Sequence, residues 1–300
     1  MKKLNKVLNK LFELGIYPQY SDPHFHSGID WQNLPKGIDP TYGFLKPDRA
    51  KRKRWQIENF VYIAGKFLNG NKVVVDFCSG SGHLSIPMAY IFPDCHFILV
   101  ERNPIPVEIG IKRIKESGLK NIEIFNGNIQ DFHEKFDLGI ALHACGEATD
   151  LAQERCIENN APYILCPCDI GYIQNSQLKY PRSKLFSELL SFDEYKTIAS
   201  AGDMTGWDFE SQQSILGKLC MGYISLDRNL SAEEHGYKTY LFTTFPREST
   251  PKNDIISGHP KIYNDIEIYS TKQYDIDLII RTCFNSDDDP IKYAQESTVK

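Results

Sequence analysis

Val73-Val-Val-Asp-Phe-Cys-Ser-Gly-Ser-Gly-His83 decides the fold of this chain. A β-branched run reaches Asp76, and a tight turn carrying Gly80 and Gly82 then leads into an apolar, helix-like segment. Glycine belongs in such a turn because a ligand must approach the backbone, where a side chain would block it. A second apolar run, Phe97-Ile-Leu-Val100, ends in Glu101, 19 residues beyond Gly82. That is about where a ribose-binding carboxylate stands in a nucleotide-binding βαβ unit. Strand, glycine turn and correctly spaced acid together predict a nucleoside cofactor along residues 76–101.

Two cofactor classes use this geometry. The dinucleotide turn G-x-G-x-x-G needs a third glycine so that the helix can pack closely. That position is Ser85 when the turn is aligned on Gly80 and Gly82, and His83 when it is aligned on Cys78 and Gly80. Asp76-x-Cys78-x-Gly80-x-Gly82 resembles instead the D/E-x-G-x-G-x-G turn of S-adenosylmethionine (SAM) enzymes, with Cys78 at the first glycine. A carboxylate at the end of the first strand suits the charged amino-acid end of SAM. It would repel a pyrophosphate, and no Lys or Arg lies in the turn to compensate.

The downstream pattern extends this reading. Residues 121–125 read as a third strand, 136–142 as a fourth and 163–165 as the core of a fifth, with helical patterns over 107–116 and 149–158. Strands alternating with helices predict an α/β, Rossmann-like class I methyltransferase fold: a seven-stranded, mostly parallel sheet with helices on both faces. The antiparallel edge is expected from 237–245 and a short partner near 254–257. The domain is expected over 49–260, behind an N-terminal extension (1–48) that opens with a short amphipathic helix. A helix over 49–70 starts the domain, a substrate-covering insertion fills 172–210, another helix spans 211–235, and 261–300 forms a C-terminal appendage. Asp76, Ser79, Gly80 and Gly82 are expected to cradle the amino-acid end of SAM and Glu101 its ribose. Asn128 and Ile129 should border the adenine, with Cys78, His83, Arg102 and His143 also placed around the cofactor.

Further segments carry a family resemblance. Arg52-Lys-Arg-Trp-Gln-Ile-Glu-Asn59, the glycine turn, Ala141-Leu-His-Ala-Cys-Gly146 with Asp150, Cys166-Pro-Cys168 and Gly171, Gly217-Lys218, Leu226-Asp-Arg228 and Ser249-Thr-Pro-Lys-Asn253 resemble the methyltransferase domain of glutathione S-transferase C-terminal domain-containing proteins. The resemblance covers roughly residues 30–260. About fifty residues precede the basic helix, too few for the transferase-like domain of that family. More distantly, the chain is similar to tRNA 2′-O-methyltransferases that share His-x-Cys-Gly. The resemblance implies a class I SAM-dependent methyltransferase without fixing its substrate.

Composition sets the outer limits. The chain has 300 residues, 41% hydrophobic and 24% charged, with net charge −5, so it is not a basic wrapper of nucleic acid. No apolar run approaches membrane-spanning length. Eight cysteines without a secretory signal predict reduced thiols and a cytoplasmic setting. Lys46, Arg49, Lys51, Arg52, Lys53 and Arg54 crowd together with one acid, Asp48. They read either as a phosphate-gripping helix for RNA or as the solvated face of a helix whose buried stripe follows from Trp55. No obligate protein partner is evident. A tRNA acceptor leads, a protein side chain is the second enzymatic reading, and a non-catalytic SAM- or RNA-binding module is the alternative from another class. His24-Phe-His26 reads as loop, and Ser286-Asp-Asp-Asp289 as a solvated acidic loop.

Cys78, His143, Cys145, Cys166 and Cys168 converge at the carboxyl ends of neighbouring strands if this fold holds. His143 could act as general base for an oxygen or nitrogen acceptor, with Asp150 orienting it or capping the next helix. The Cys166-Pro-Cys168 pair could supply a thiolate for attack on a pyrimidine ring. Cys166 and Cys168 with a nearby His and Cys could hold Zn²⁺, although a lone C-x-C pair is weak evidence and no metal is expected. The remaining reading is that the cysteines fill tight space below the ligand.

Overall fold

The computed structural model describes residues 2–22, 29–173, 176, 178–263 and 270–272. His24 and His26, Ser286–Asp289 and most of the C-terminal appendage lie outside the described residues. The chain opens with α1 (Lys2–Glu13), β1 (Tyr20–Asp22) and α2 (Pro47–Ala64). The central βα alternation follows: β2 (Val73–Phe77), α3 (Ser85–Ile91), β3 (His96–Glu101), α4 (Pro104–Ser117), β4 (Ile122–Asn126), β5 (Leu138–Cys145), α5 (Glu147–Glu158) and β6 (Tyr163–Cys168). Then come α6 (Lys184–Leu189), α7 (Phe192–Gly202), α8 (Gln212–Glu233), β7 (Tyr237–Thr243), β8 (Asp254–Pro260) and β9 (Ser270–Lys272).

Seven strands form one sheet in the order β4-β3-β2-β5-β6-β8-β7, and β1 and β9 pair separately. The pairs β4–β3, β3–β2, β2–β5 and β5–β6 are parallel, whereas β8 runs antiparallel to both β6 and β7. The expected antiparallel edge is present, with β8 longer than anticipated and lodged between β6 and β7. Val74, Val75, Phe77, Phe97 and Leu99 are buried because helices cover both faces of a parallel sheet. Chain order reverses between β2 and β5, which opens a crevice at their carboxyl ends, where ligands of such sheets bind.

α2 starts at Pro47, whose fixed φ and missing N–H suit the first turn. It buries Ile57, Phe60, Ile63 and Ala64 against the sheet. It ends at Ala64 rather than near Gly70, because Lys66 N–H reaches back to the Ile63 carbonyl (3.1 Å) and Phe67 N–H to that of Ala64 (2.9 Å), tightening the last turn.

The helix α1 (Lys2–Glu13) is a docking helix whose socket lies within the chain. Leu4, Val7, Leu8 and Leu11 of α1 pack into a second core with Tyr180, Phe186, Tyr195, Ile198 and Tyr223. Each such side chain contributes about 1.5–3 kcal/mol of burial before ordering costs. Half of the six insertion aromatics singled out in the sequence are therefore internal packing: Tyr180, Phe186 and Tyr195 are buried, while Tyr172, Phe192 and Trp207 remain exposed.

Candidate active site

β2 carries Asp76 into the crevice as a buried carboxylate, and Ser85 Oγ donates a hydrogen bond to its Oδ2 at 2.6 Å. Burial pushes the Asp76 carboxyl up to about 7. In the turn that follows, Cys78, Gly80 and Gly82 have φ of 59°, 57° and 72°. Such left-handed backbone is uncommon for a side chain like that of Cys78 and marks a constrained site. The two glycines differ in surroundings. A Cβ on Gly82 would lie 2.9 Å from Ile86 and Leu99, whereas nothing lies within 4 Å of one on Gly80. Ser79 Oγ is buried without a hydrogen-bond partner.

β3 delivers Glu101, whose Oε2 accepts from Gly80 N–H at 2.9 Å and Oε1 from Asn103 N–H at 2.8 Å. The crevice thus offers an unpaired hydroxyl, an open glycine face and two carboxylates one strand apart. Those groups fit SAM: the ammonium near Asp76, the amino-acid end along Ser79 and Gly80, and the ribose hydroxyls near Glu101. Arg102 is exposed and within charge range of Cys78. Asn128 is exposed, its amide donating to Asp131 Oδ2 at 2.7 Å, and Ile129 is buried. His83 is engaged by protein, with Nδ1 3.2 Å from Arg113 and its ring packed against Gly43. Burial, with help from Arg113 and Lys53, lowers it to about 3.

His143 occupies a bulge. The β5–β6 register shifts between Leu142 and Ala144, and His143 itself has φ of 67°. A bulge re-aims a side chain, and this one turns the imidazole toward α2. Its Nε2 pairs with Gln56 Oε1 at 3.3 Å, and Gln56 Nε2 donates to the Ser249 carbonyl at 2.9 Å. An amide oxygen only accepts, so Nε2 carries the proton and Nδ1 the lone pair. Burial, reinforced by Lys53, depresses His143 to about 3. It is a neutral acceptor at physiological pH and a weak general base.

The expected pairing of Asp150 with His143 is not found. Asp150 is fully buried in the first turn of α5 and faces α8, where Arg228 Nε donates to Oδ1 (2.8 Å) and Nη2 to Oδ2 (2.9 Å). Tyr180 Oη adds a third bond at 2.7 Å. Nor does Asp150 cap α5, whose N-cap is Gly146. Asp150 is a structural tie between α5, α8 and the insertion. Other segments of the family resemblance do similar work: Lys218 bonds Asn253 and Asp254, and Asp227 accepts from Arg182 N–H and Ser183.

Cys166 lies in the core with Ile57 and Phe60, its Sγ 3.5 Å from the Lys252 carbonyl, and burial pushes the thiol up to about 12. That is the wrong direction for a thiolate nucleophile, so the ring-attack reading of Cys166 fails. Cys168 is likewise raised, first by its contact with Cys145 and then by burial. Cys145 and Cys168 are register partners with Sγ atoms 2.8 Å apart, and Cys145 Sγ lies 3.0 Å from Asp169 Oδ2.

The basic segment does not form one face. Arg54 Nε bonds Asp39 Oδ2 at 2.8 Å, and the Lys51 ammonium sits 5.0 Å above the Trp55 ring. Lys46 and Arg49 are exposed. Arg52 stacks on Trp207 at 4.7 Å, which ties α2 to the insertion. Lys53 turns inward toward Asp76, Cys166 and Cys168, and burial lowers its ammonium to about 8. A cavity of about 200 Å³ opens here, lined by Arg49, Arg52, Lys53, Gln56, His143 and Trp207. A wider hollow of about 600 Å³ runs along α4 and β4 past Ile111 and Ile124, at the far edge of the sheet. Sequence reasoning missed the inward roles of Lys53 and Gln56. The signal was present, since positions 53, 57, 60 and 64 fall on one helical stripe whose last three members are buried.

Residues 52–169 match the family model described as "Methyltransferase domain". The chain is 38% identical over 257 residues to the glutathione S-transferase C-terminal domain-containing protein of Bos taurus, covering 85% of this chain and 41% of that protein. It is 34% identical over 266 residues to the Drosophila melanogaster homologue, again over 85% of this chain and 45% of the relative. The chain therefore spans less than half the length of either relative. Among solved structures, an SAH-bound methyltransferase of Podospora anserina aligns with a TM-score of 0.47 and 11% identity, over 76% of this chain and 89% of that one. The chain carries a methyltransferase domain of the class I, SAM-dependent type and is related through it to the glutathione S-transferase C-terminal domain-containing proteins.

Proposed function

We propose that this protein transfers the methyl group of SAM to an RNA acceptor. The observation that carries the reading is the cavity where Arg49, Arg52 and Lys53 meet His143 and Trp207 beside the SAM crevice. The two guanidinium cations of Arg49 and Arg52 around a small opening select an anionic acceptor, and an indole at the rim (Trp207 is 54% exposed) offers a stacking surface for a base. A tRNA is the favoured substrate within this class, in a cytoplasmic setting.

The cofactor supplies an electrophilic methyl carbon, which an oxygen or nitrogen lone pair must meet in line. The chain's task is to orient that atom and accept its proton. Nδ1 of His143 accepts a hydrogen bond from the acceptor group and so aligns it, because Nε2 is committed to Gln56. Lys53, at about 8, is the group in the cavity matched to receive a proton near neutral pH. Arg49 and Arg52 hold the flanking phosphates.

Incubation with methyl-labelled SAM and fractionated total RNA and protein tests the proposal. Label that resists protease and is released by RNase supports it. Label in protein that survives RNase assigns the activity to a side-chain acceptor and overturns the RNA reading.

A further inference from the structure

We propose that Cys145, Cys168 and Asp169 form a Zn²⁺ site at the carboxyl ends of β5 and β6. One donor atom from each of the three residues lies within 4.8 Å of the others. Strand register creates the pair, since Cys145 and Cys168 face each other across the parallel β5–β6 ladder. Asp169 follows Cys168 with φ of 45°, a left-handed conformation that returns its carboxylate to Cys145 Sγ at 3.0 Å. Asp203 holds that conformation, its two oxygens accepting from Ile170 and Gly171 N–H at 2.8 Å each. The donors thus stand on one ladder and one clamped turn.

Two thiolates and a carboxylate are a donor set for a borderline-soft divalent cation, and Zn²⁺ takes it with tetrahedral preference. Zn–S bonds of about 2.3 Å at the tetrahedral angle separate two sulfurs by about 3.7 Å. The sulfurs stand 2.8 Å apart, so side-chain rotation must open the pair by about 1 Å. Cys145 is exposed and Cys168 buried, so a fourth position would face solvent. The site differs from the one a C-x-C motif suggests: Cys166 takes no part, because its thiol sits in the core against the Lys252 carbonyl.

The test uses the full, untagged, fully reduced chain with zinc chloride and with cobalt(II) as spectroscopic probe. The proposal expects one equivalent per chain and a cobalt adduct with sulfur-to-metal charge-transfer absorption. Cys145→Ser alters an exposed side chain and should weaken affinity more than about 100-fold, since losing a direct ligand costs at least as much as losing an outer-shell partner. Asp169→Asn should weaken it as well, while Cys166→Ser leaves it unchanged. Thermal unfolding of each metal-free variant separates loss of the site from loss of the fold. Unchanged binding in Cys145→Ser would mean an adventitious ion only. A cobalt adduct without sulfur absorption, or no stoichiometric uptake by the reduced protein, equally overturns the proposal.

Discussion

Replacing Gly80 or Gly82 by alanine should have opposite consequences, although both glycines are left-handed and lie in one turn. At Gly80 the added methyl meets no atom within 4 Å, so folding bears only the backbone strain of about 1–2 kcal/mol. At Gly82 the same strain is joined by overlap with Ile86 and Leu99 at 2.9 Å. Overpacking of that kind costs about 1–3 kcal/mol more. At roughly 2 °C per kcal/mol for a domain this size, Gly80→Ala should lower Tm by about 2–4 °C and Gly82→Ala by about 4–10 °C. The ligand reverses the order. With SAM placed on the open face of Gly80, as proposed, a methyl there excludes it, and S-adenosylhomocysteine binding should drop below detection while the protein stays folded. Thermal unfolding and titration calorimetry on both variants decide the matter. A Gly80→Ala protein that binds like wild type, or that unfolds as readily as Gly82→Ala, would refute the placement of the cofactor.

Three further outcomes are expected. Lys53 at about 8 predicts that kcat rises with pH and levels off above 8; Lys53→Met should abolish that limb, and a limb that persists in the variant assigns it to another group. Asp76 is raised to about 7 in the cofactor-free protein, and the ammonium of SAM favours its ionised form, so binding below pH 7 must expel a proton. SAM affinity measured by calorimetry should fall about tenfold per unit as the pH drops below 7, a dependence that Asp76→Asn removes and that a flat wild-type profile below pH 7 would contradict. Asp150→Ala leaves Arg228 buried without its counter-ion and should cost about 3–5 kcal/mol in denaturant unfolding; a stable Asp150→Ala protein with impaired turnover would instead return Asp150 to catalysis.

Much of the fold was legible because its signals are local. β-branched runs, the glycine turn and the spacing to Glu101 sit within thirty residues, and Rossmann topology follows from the alternation. What was not legible depends on distant partners or on register. The acid near His143 was a reasonable orienting group by proximity in sequence, but Asp150's partner Arg228 is 78 residues away. The bulge that turns His143 toward Gln56 has no sequence marker, because nothing in Ala-Leu-His-Ala announces an extra residue in the ladder. Cys166 and Cys168 looked alike as C-x-C, yet only Cys168 meets Cys145, because strand register decides which thiols face each other. The six cations read as a patch, but Arg54 is tied to Asp39 and Lys53 points into the crevice.

The central claim is tested most directly by the crystal structure of this chain with S-adenosylhomocysteine. The account predicts the amino-acid end beside Asp76, Ser79 and Gly80, and the ribose hydroxyls on Glu101. A ligand bound elsewhere, or a crevice at Gly80 closed by protein side chains in its presence, would contradict it.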